Sequence, residues 1–278
     1  MRPGWLLPVA CVVTACLSEP PRAPADQSTW QTAFQRGNWL SEWRPKSRGQ
    51  FGLREGNVSV ETEGGGKFHR FLRIRYPKGA SSPSGSRKSG APIGGAQWLG
   101  TLASGPVDRL FLRYFVRFAP DFDFVKGGKL PGFYGGERIS GGRIPDGTDG
   151  FSTRFMWRRN GDGEVYAYLP SSQRFGTSLG RGMWRFEPGR WHCIEQELVL
   201  NTPGTADGGV RVWLDGKPAF EQPGLLFRTV ASLQIEGVLF STFYGGGDAS
   251  WAPRQDTYAD FAAFATGPHR IGCDAPSD

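Results

Sequence analysis

The strongest constraint in this sequence is a period-two alternation of apolar and polar side chains, repeated in segment after segment and punctuated by glycine and proline. Leu72, Ile74 and Tyr76 alternate with Arg73 and Arg75; Leu110, Leu112, Tyr114, Val116 and Phe118 alternate with Phe111, Arg113, Phe115 and Arg117. Phe151, Thr153, Phe155 and Trp157 alternate with Ser152, Arg154, Met156 and Arg158, and Val165, Ala167 and Leu169 with Glu164, Tyr166 and Tyr168. Such a pattern buries one face of a strand and leaves the other to solvent or ligand. Long apolar runs of helical period are missing, and 41 glycines and 21 prolines cut the chain into short pieces, which disfavours a helical bundle. Asn160-Gly161-Asp162-Gly163 and Asp215-Gly216 mark tight turns, because Asn and Gly accept a positive φ at low cost. The economical solution is all-β: two packed antiparallel sheets, a β-sandwich or jelly roll, with 10 Trp and 20 Phe to fill it. The Gly- and Ser-rich stretch 79–95 reads as a mobile loop.

The first residues read as an address. Arg2 precedes a short apolar run, Trp5 to Ala15, too short for a permanent membrane span, so residues 1–15 are expected to be a secretory signal. The run ends Val13-Thr14-Ala15-Cys16, a lipobox-like ending that would make Cys16 a lipidated N-terminus; ordinary signal cleavage nearby is the alternative. Residues 16–29, rich in Pro, Ser and Ala, suit a tether, and 30–278 show no composition break or repeat, so one domain is expected there. The protein is then secreted or anchored to the outer membrane, touching a membrane only through its lipid. Of the four cysteines, Cys193 and Cys273 remain as a natural disulfide pair in an oxidising compartment, or as two separate buried thiols. Three scattered histidines and no Cys-x-x-Cys pair leave no dedicated zinc site, so neither metal nor cofactor is expected.

The hairpin around residues 160–163 is the informative part. If Phe151, Phe155 and Trp157 face the core together with Val165, Ala167 and Leu169, then Ser152, Arg154, Tyr166 and Tyr168 share the opposite face within cross-strand reach. Arg73, Arg75, Arg113, Arg117 and Gln97 would extend that face if their strands join the same sheet. Cations and aromatic rings on one sheet suit an acidic polysaccharide; the plainer reading of each residue alone is a solvated strand face. Lys126-Gly127-Gly128-Lys129-Leu130-Pro131-Gly132 is no phosphate loop, since no Ser or Thr opens a helix after the lysine. It reads as a Gly-rich turn or crossover that presents Lys129.

Together these segments resemble the polysaccharide lyases of family 14 and the related glucuronan lyases. The resemblance runs over residues 68–266, through LRIRYPKG (72–79), GGAQW (94–98), KGGKLPGFYGG (126–136), FSTRFMWRRNGDGEVYAYLP (151–170), WHCIEQELVLNTPGTADGGVRVWLDG (191–216) and FSTFYGGGDASWAP (240–253). KGGKLPG and the Ser-x-Arg…Tyr-x-Tyr pattern are its specific parts. The resemblance implies a β-jelly-roll of concanavalin-like lectin and lyase architecture that cleaves uronate polymers such as alginate or glucuronan. It places the family's catalytic lysine on Lys129, its Ser and Arg on Ser152 and Arg154, and its tyrosine pair on Tyr166 and Tyr168. Gln97 and Arg75 match substrate-side positions, and His69, near the first matched strand, has no role assigned.

A lyase removes the proton at C5, beside the uronate carboxyl, and expels the oxygen at C4. The carboxylate needs neutralising, a base must take the proton and an acid must protonate the leaving oxygen. A tyrosine base needs positive neighbours, because its ordinary pKa is about 10. These demands assign proton transfer to Tyr166 and Tyr168, in either order, with Lys129 itself the alternative base, and the carboxylate to Lys129 and Arg154, with Ser152 orienting it. Hydrolysis would need two carboxylates bracketing the bond, and the Glu-x-Asp-x-Glu strand of sandwich hydrolases is absent; Glu195-Gln196-Glu197 is the nearest approach. A carbohydrate-binding module without catalysis would keep the cations and rings but has no use for the Lys129/Tyr166/Tyr168 set. The net charge of +7 is dispersed through strands and not gathered on a helix or tail, so the expected partner is an anionic polysaccharide and not a nucleic acid, bound by a monomer.

Overall fold

In the computed structural model, residues 30–32, 34 and 37–274 are described; the signal, the lipidation site at Cys16 and the tether lie outside them. The described strands are β1 (Trp30–Thr32), β2 (Val58–Thr62), β3 (Arg70–Tyr76), β4 (Ala96–Thr101), β5 (Arg109–Phe118), β6 (Gly127–Gly136), β7 (Gly150–Arg158), β8 (Gly163–Tyr168), β9 (Thr177–Leu179), β10 (Trp191–Val199), β11 (Gly208–Leu214), β12 (Lys217–Leu225), β13 (Gly237–Tyr244) and β14 (Thr257–Gly267). One sheet has the order β12-β11-β10-β5-β14-β3-β2, with β1 also on β14; the other has the order β4-β13-β6-β7-β8-β9. Every pairing is antiparallel. The alternating residues meet between the sheets: Leu72, Ile74, Leu112, Tyr114, Val116 and Ile194 from the first face Phe133, Phe151, Phe155, Trp157, Val165 and Phe240 from the second. Burial of large aromatic side chains on this scale, each removing some 150–250 Å² from water, is the main driving force for closing the sandwich.

Three expectations change. The Gly-rich segment carrying Lys129 is a strand, β6, at the middle of the six-stranded sheet. Its glycines do not loosen it. They let neighbours close in, since a Cβ on Gly128 would lie 2.1 Å from the Trp157 ring and one on Gly132 2.0 Å from the Thr153 carbonyl. Stretch 79–95 contains a short helix, α1 (Pro83–Ser89), whose first turn is capped by the Ser82 side chain accepting from the Gly85 N–H and which ends at Gly90 in the left-handed region. The outward face of the eight-stranded sheet is covered as well: Arg113 and Phe115 are buried. Phe68 and Trp191 pack over it, Lys67 Nζ stands 4.3 Å from the Phe115 ring centre, and the C-terminal tail crosses it.

A disulfide joins Cys193 on β10 to Cys273 in that tail, 80 residues later. Ile271 and Gly272 donate their N–H groups to the buried Glu195 carboxylate beside it. Closing a loop of this length removes about 4–5 kcal/mol of denatured-chain entropy in the chain-entropy account. Cys273→Ala should therefore lower the unfolding free energy by about 2–5 kcal/mol in denaturant titrations under oxidising conditions. A loss below about 0.5 kcal/mol would show that the tail contributes nothing to holding the sheet.

Candidate active site

The hairpin register pairs Ser152 with Tyr168 and Arg154 with Tyr166, so all four side chains leave the same face of the six-stranded sheet. The turn is a tight one at Arg159–Gly161, with Asn160 at φ 58° and Gly161 at φ 81°. Lys129 reaches the same face because β6 carries one extra residue between Lys129, opposite Met156, and Gly132, opposite Arg154. Its Nζ lies 2.6 Å from Met156 Sδ and 3.7 Å from the centre of the Tyr166 ring. Tyr166 and Tyr168 meet edge to face with centres 5.6 Å apart.

Arg154 is buried in this face, 2% exposed. Its Nη1 donates to Ser241 Oγ at 3.1 Å, Ser241 donates to Gln97 Oε1 at 3.0 Å, and Gln97 Nε2 donates to the Gly49 carbonyl. Among the described residues no carboxylate pairs with Arg154, and its Nε finds no hydrogen-bond partner. The carboxylate on the strands of this face is Glu164, and Arg158 holds it at 2.6 Å. A buried cation left without a counter-ion is costly unless a ligand supplies one.

Burial pulls the Arg154 guanidinium down to about 10, Arg138 adding to the shift and the two tyrosines opposing it. Lys129 is held well below the ordinary lysine range, first by burial and then by the positive charges of Arg154 and Arg158, against the pull of Glu164. Tyr166 is pushed up to about 12 by burial and by Tyr168, with Arg158 opposing. The amine therefore gives up its proton easily and the phenol keeps its own.

A segment between β6 and β7 roofs one end of the face. Ser152 is fully buried and donates to the Ile139 carbonyl at 2.7 Å, which fastens this roof and occupies the hydroxyl assigned to the substrate. Tyr168 accepts the Gly142 N–H at 3.2 Å, and Arg138 reaches Gln97 Oε1 at 3.4 Å. Gln97 thus joins the cluster from β4. Arg75 does not: it lies on β3 in the other sheet, on its outward side, 3.6 Å from Glu61. Arg73 and Arg117 are there too, both paired with Asp260, because β3, β5 and β14 are neighbours in that sheet. Met156, Arg158 and Glu164 belong to the site and follow from the same alternation that revealed Arg154. Arg138 and Ser241 come from segments that only the tertiary fold brings in.

An unpaired guanidinium, an amine of low proton affinity and a phenol of high affinity meet the demands of elimination beside a carboxylate, and on this sandwich they define a polysaccharide lyase. The chain belongs to the polysaccharide lyase 14 family, whose model matches residues 66–264. It is similar to the marine alginate lyase of that family from Aplysia kurodai, with 31% identity, 86% of this chain and 98% of that one covered, and a TM-score of 0.74. A variant of the alginate lyase Aly36B solved with an alginate tetrasaccharide shares the fold at 20% identity, with 89% and 97% of the two chains covered and a TM-score of 0.69. The endo-β-1,4-glucuronan lyase of Trichoderma reesei shares it at 11% identity, with 87% and 96% covered and a TM-score of 0.56. No curated protein matches the chain. The substrate of this lyase is a polysaccharide.

Proposed function

We propose that the protein cleaves a uronic-acid polymer, alginate or glucuronan, by β-elimination, with Arg154 neutralising the uronate carboxylate, Lys129 taking the C5 proton and Tyr166 protonating the departing O4. The observation that carries this reading is the opposed displacement of two proton affinities, Lys129 downwards and Tyr166 upwards, across a 3.7 Å contact beside an unpaired arginine. Arg154, backed by Ser241 and Gln97, draws off the charge that develops at C5. The neutral amine of Lys129 removes the proton, the electron pair forms the C4–C5 double bond, and the C4–O bond breaks as the Tyr166 phenol gives its proton to the oxygen. Lys129 is then an ammonium beside a phenolate, and proton return between them resets the site. This division replaces the sharing of both proton transfers by the tyrosines; Tyr168, tied to the Gly142 N–H, orients Tyr166. The name of the Aplysia protein, an alginate lyase, supports the substrate class. A secreted or outer-membrane-anchored location goes with it, supported by the apolar run before Cys16 and the disulfide.

Base and acid stand side by side on one sheet face, which favours taking and giving protons on the same side of the sugar ring. In β-1,4-mannuronate and in glucuronan the C5 hydrogen and O4 lie on the same side; in guluronate they lie on opposite sides. Ultraviolet absorbance of the unsaturated product should therefore rise at least about tenfold faster on polymannuronate or glucuronan than on polyguluronate, a difference of about 1.4 kcal/mol in barrier. A neutral glucan should give none. Faster cleavage of polyguluronate would overturn the side-by-side assignment, and no product from any uronate polymer would overturn the function.

A further inference from the structure

A cavity of about 770 Å³ opens at the end of the sandwich, lined by Phe122, Phe124, Lys126, Arg159, Ser250 and Arg254 among others. It is not a separate feature of the surface. Lys126 is the residue before β6 and Arg159 the residue after β7, and these two strands pair Gly127 with Arg158 at this end. The third wall comes from the segment after β13: Gly245 donates its N–H to the Gly127 carbonyl, and a Cβ on Gly245 would sit 3.7 Å from Met156 Cε and 3.9 Å from Lys129 Cε. A few residues later the same segment supplies Ser250 to the cavity. Lys126 is three residues from Lys129, a rise of about 10 Å along an extended chain, and so one or a few sugar units away from the reacting bond.

The lining carries three cations, Lys126, Arg159 and Arg254, against one carboxylate, Asp123, with Asp248 close enough to feel Lys126. Lys126, Arg159 and Arg254 form no ion pair among the described residues, and Lys126 Nζ is held by Ser250 Oγ at 2.5 Å. Asp123 also lines the cavity and has one carboxylate oxygen taken by the Val125 N–H. Asp248 is turned onto Ser250. Phe122 and Phe124, buried in the core, close the cavity from beneath, and the half-buried Trp251 ring, its centre 5.9 Å from Lys126 Nζ, is the aromatic face beside it. Cations that bind a carboxylate beside one partly exposed indole that can stack on a sugar face are the chemistry of a uronate-binding pocket.

We propose that this cavity is a distal subsite, in which Lys126, Arg159 and Arg254 hold the carboxylate of a uronate unit beyond those at Arg154 and thereby favour long polymers over short oligosaccharides. It rests on the uronate-polymer reading above. The test is the double variant Lys126→Gln/Arg159→Gln against a control that removes two exposed charges elsewhere, Arg181→Gln/Lys217→Gln. The ratio of kcat/KM on the polymer to that on the shortest oligosaccharide cleaved should fall about tenfold in the double variant, the size expected of two exposed charge contacts, and stay level in the control. In native gels cast with the same polyuronate, the double variant should be retarded less than wild type and than the control, and the difference should shrink as salt is added. An unchanged ratio, equal retardation, or an equal loss in the control would overturn the subsite. If wild type yields no unsaturated product from any uronate polymer, the proposed function fails and the gel alone decides whether the cavity binds polyuronate.

Discussion

Lys129→Met should lower kcat by about two to four orders of magnitude, since positioned acid–base catalysis contributes roughly 10²–10⁴-fold and among the described residues no other amine stands at the Tyr166 ring. Met keeps the length and apolar stem, so circular dichroism and thermal unfolding should match wild type. The pH profile tests the role more sharply than the loss itself. Lys129 is held well below the ordinary lysine range, and it works as the neutral amine. Activity is therefore absent while the ammonium persists at low pH and rises as pH passes through the lowered pKa. Tyr166, pushed up to about 12, keeps its proton over that range, and the descending limb belongs to Arg154, whose guanidinium is pulled down to about 10 and whose charge the carboxylate needs. The residual activity of Lys129→Met should lack the rising limb. A variant that kept more than a tenth of wild-type turnover, or kept the limb, would remove Lys129 from proton transfer.

Arg154→Met should separate activity from stability. Losing the cation that faces the carboxylate should cost about 10²–10³-fold in kcat/KM. The same change should leave the fold as stable as wild type or more so, by up to about 4 kcal/mol, because a buried charge without a counter-ion is replaced by an apolar side chain of similar length. The sign follows from the ionisation: folding pulls the guanidinium down to about 10, so the folded state carries the cost of that charge at all pH values below this. A clear drop in Tm would show that the hydrogen bond to Ser241 outweighs the desolvation it offsets.

Much of this was legible in the residues. Alternation at 110–118, 151–158 and 164–169 assigned the inward faces, and with them the common face of Ser152, Arg154, Tyr166 and Tyr168, because a strand leaves no choice once one side is apolar. What alternation cannot say is which strands become neighbours. Arg75 and Arg113 obey the same pattern as Arg154 but lie in the opposite sheet, where Asp260, Glu61 and a tail strapped by a disulfide neutralise or cover that face. β6 was hidden for another reason. Its glycines and Pro131 are poor strand formers, and only the crowding by Trp157 and Thr153 on the neighbouring strand explains them. The occupation of Ser152 by Ile139 was invisible too, since a serine on a ligand-facing strand looks the same whether its hydroxyl is free or spent.

The extra residue in β6 bears on what a change of length there would do. Between Lys129 and Gly132 that strand advances three residues while β7 advances two, and between the partners of the same two positions β13 advances four, from Leu239 to Phe243. The strands fan out at this level. Loss of one residue at 130–131 would remove the bulge and leave β6 and β7 both advancing two residues, so Lys129 would stay on the site face while the strand lost its local bend. A one-codon deletion there would change the reach of the amine toward Tyr166, 3.7 Å away, and not the side of the sheet on which it stands.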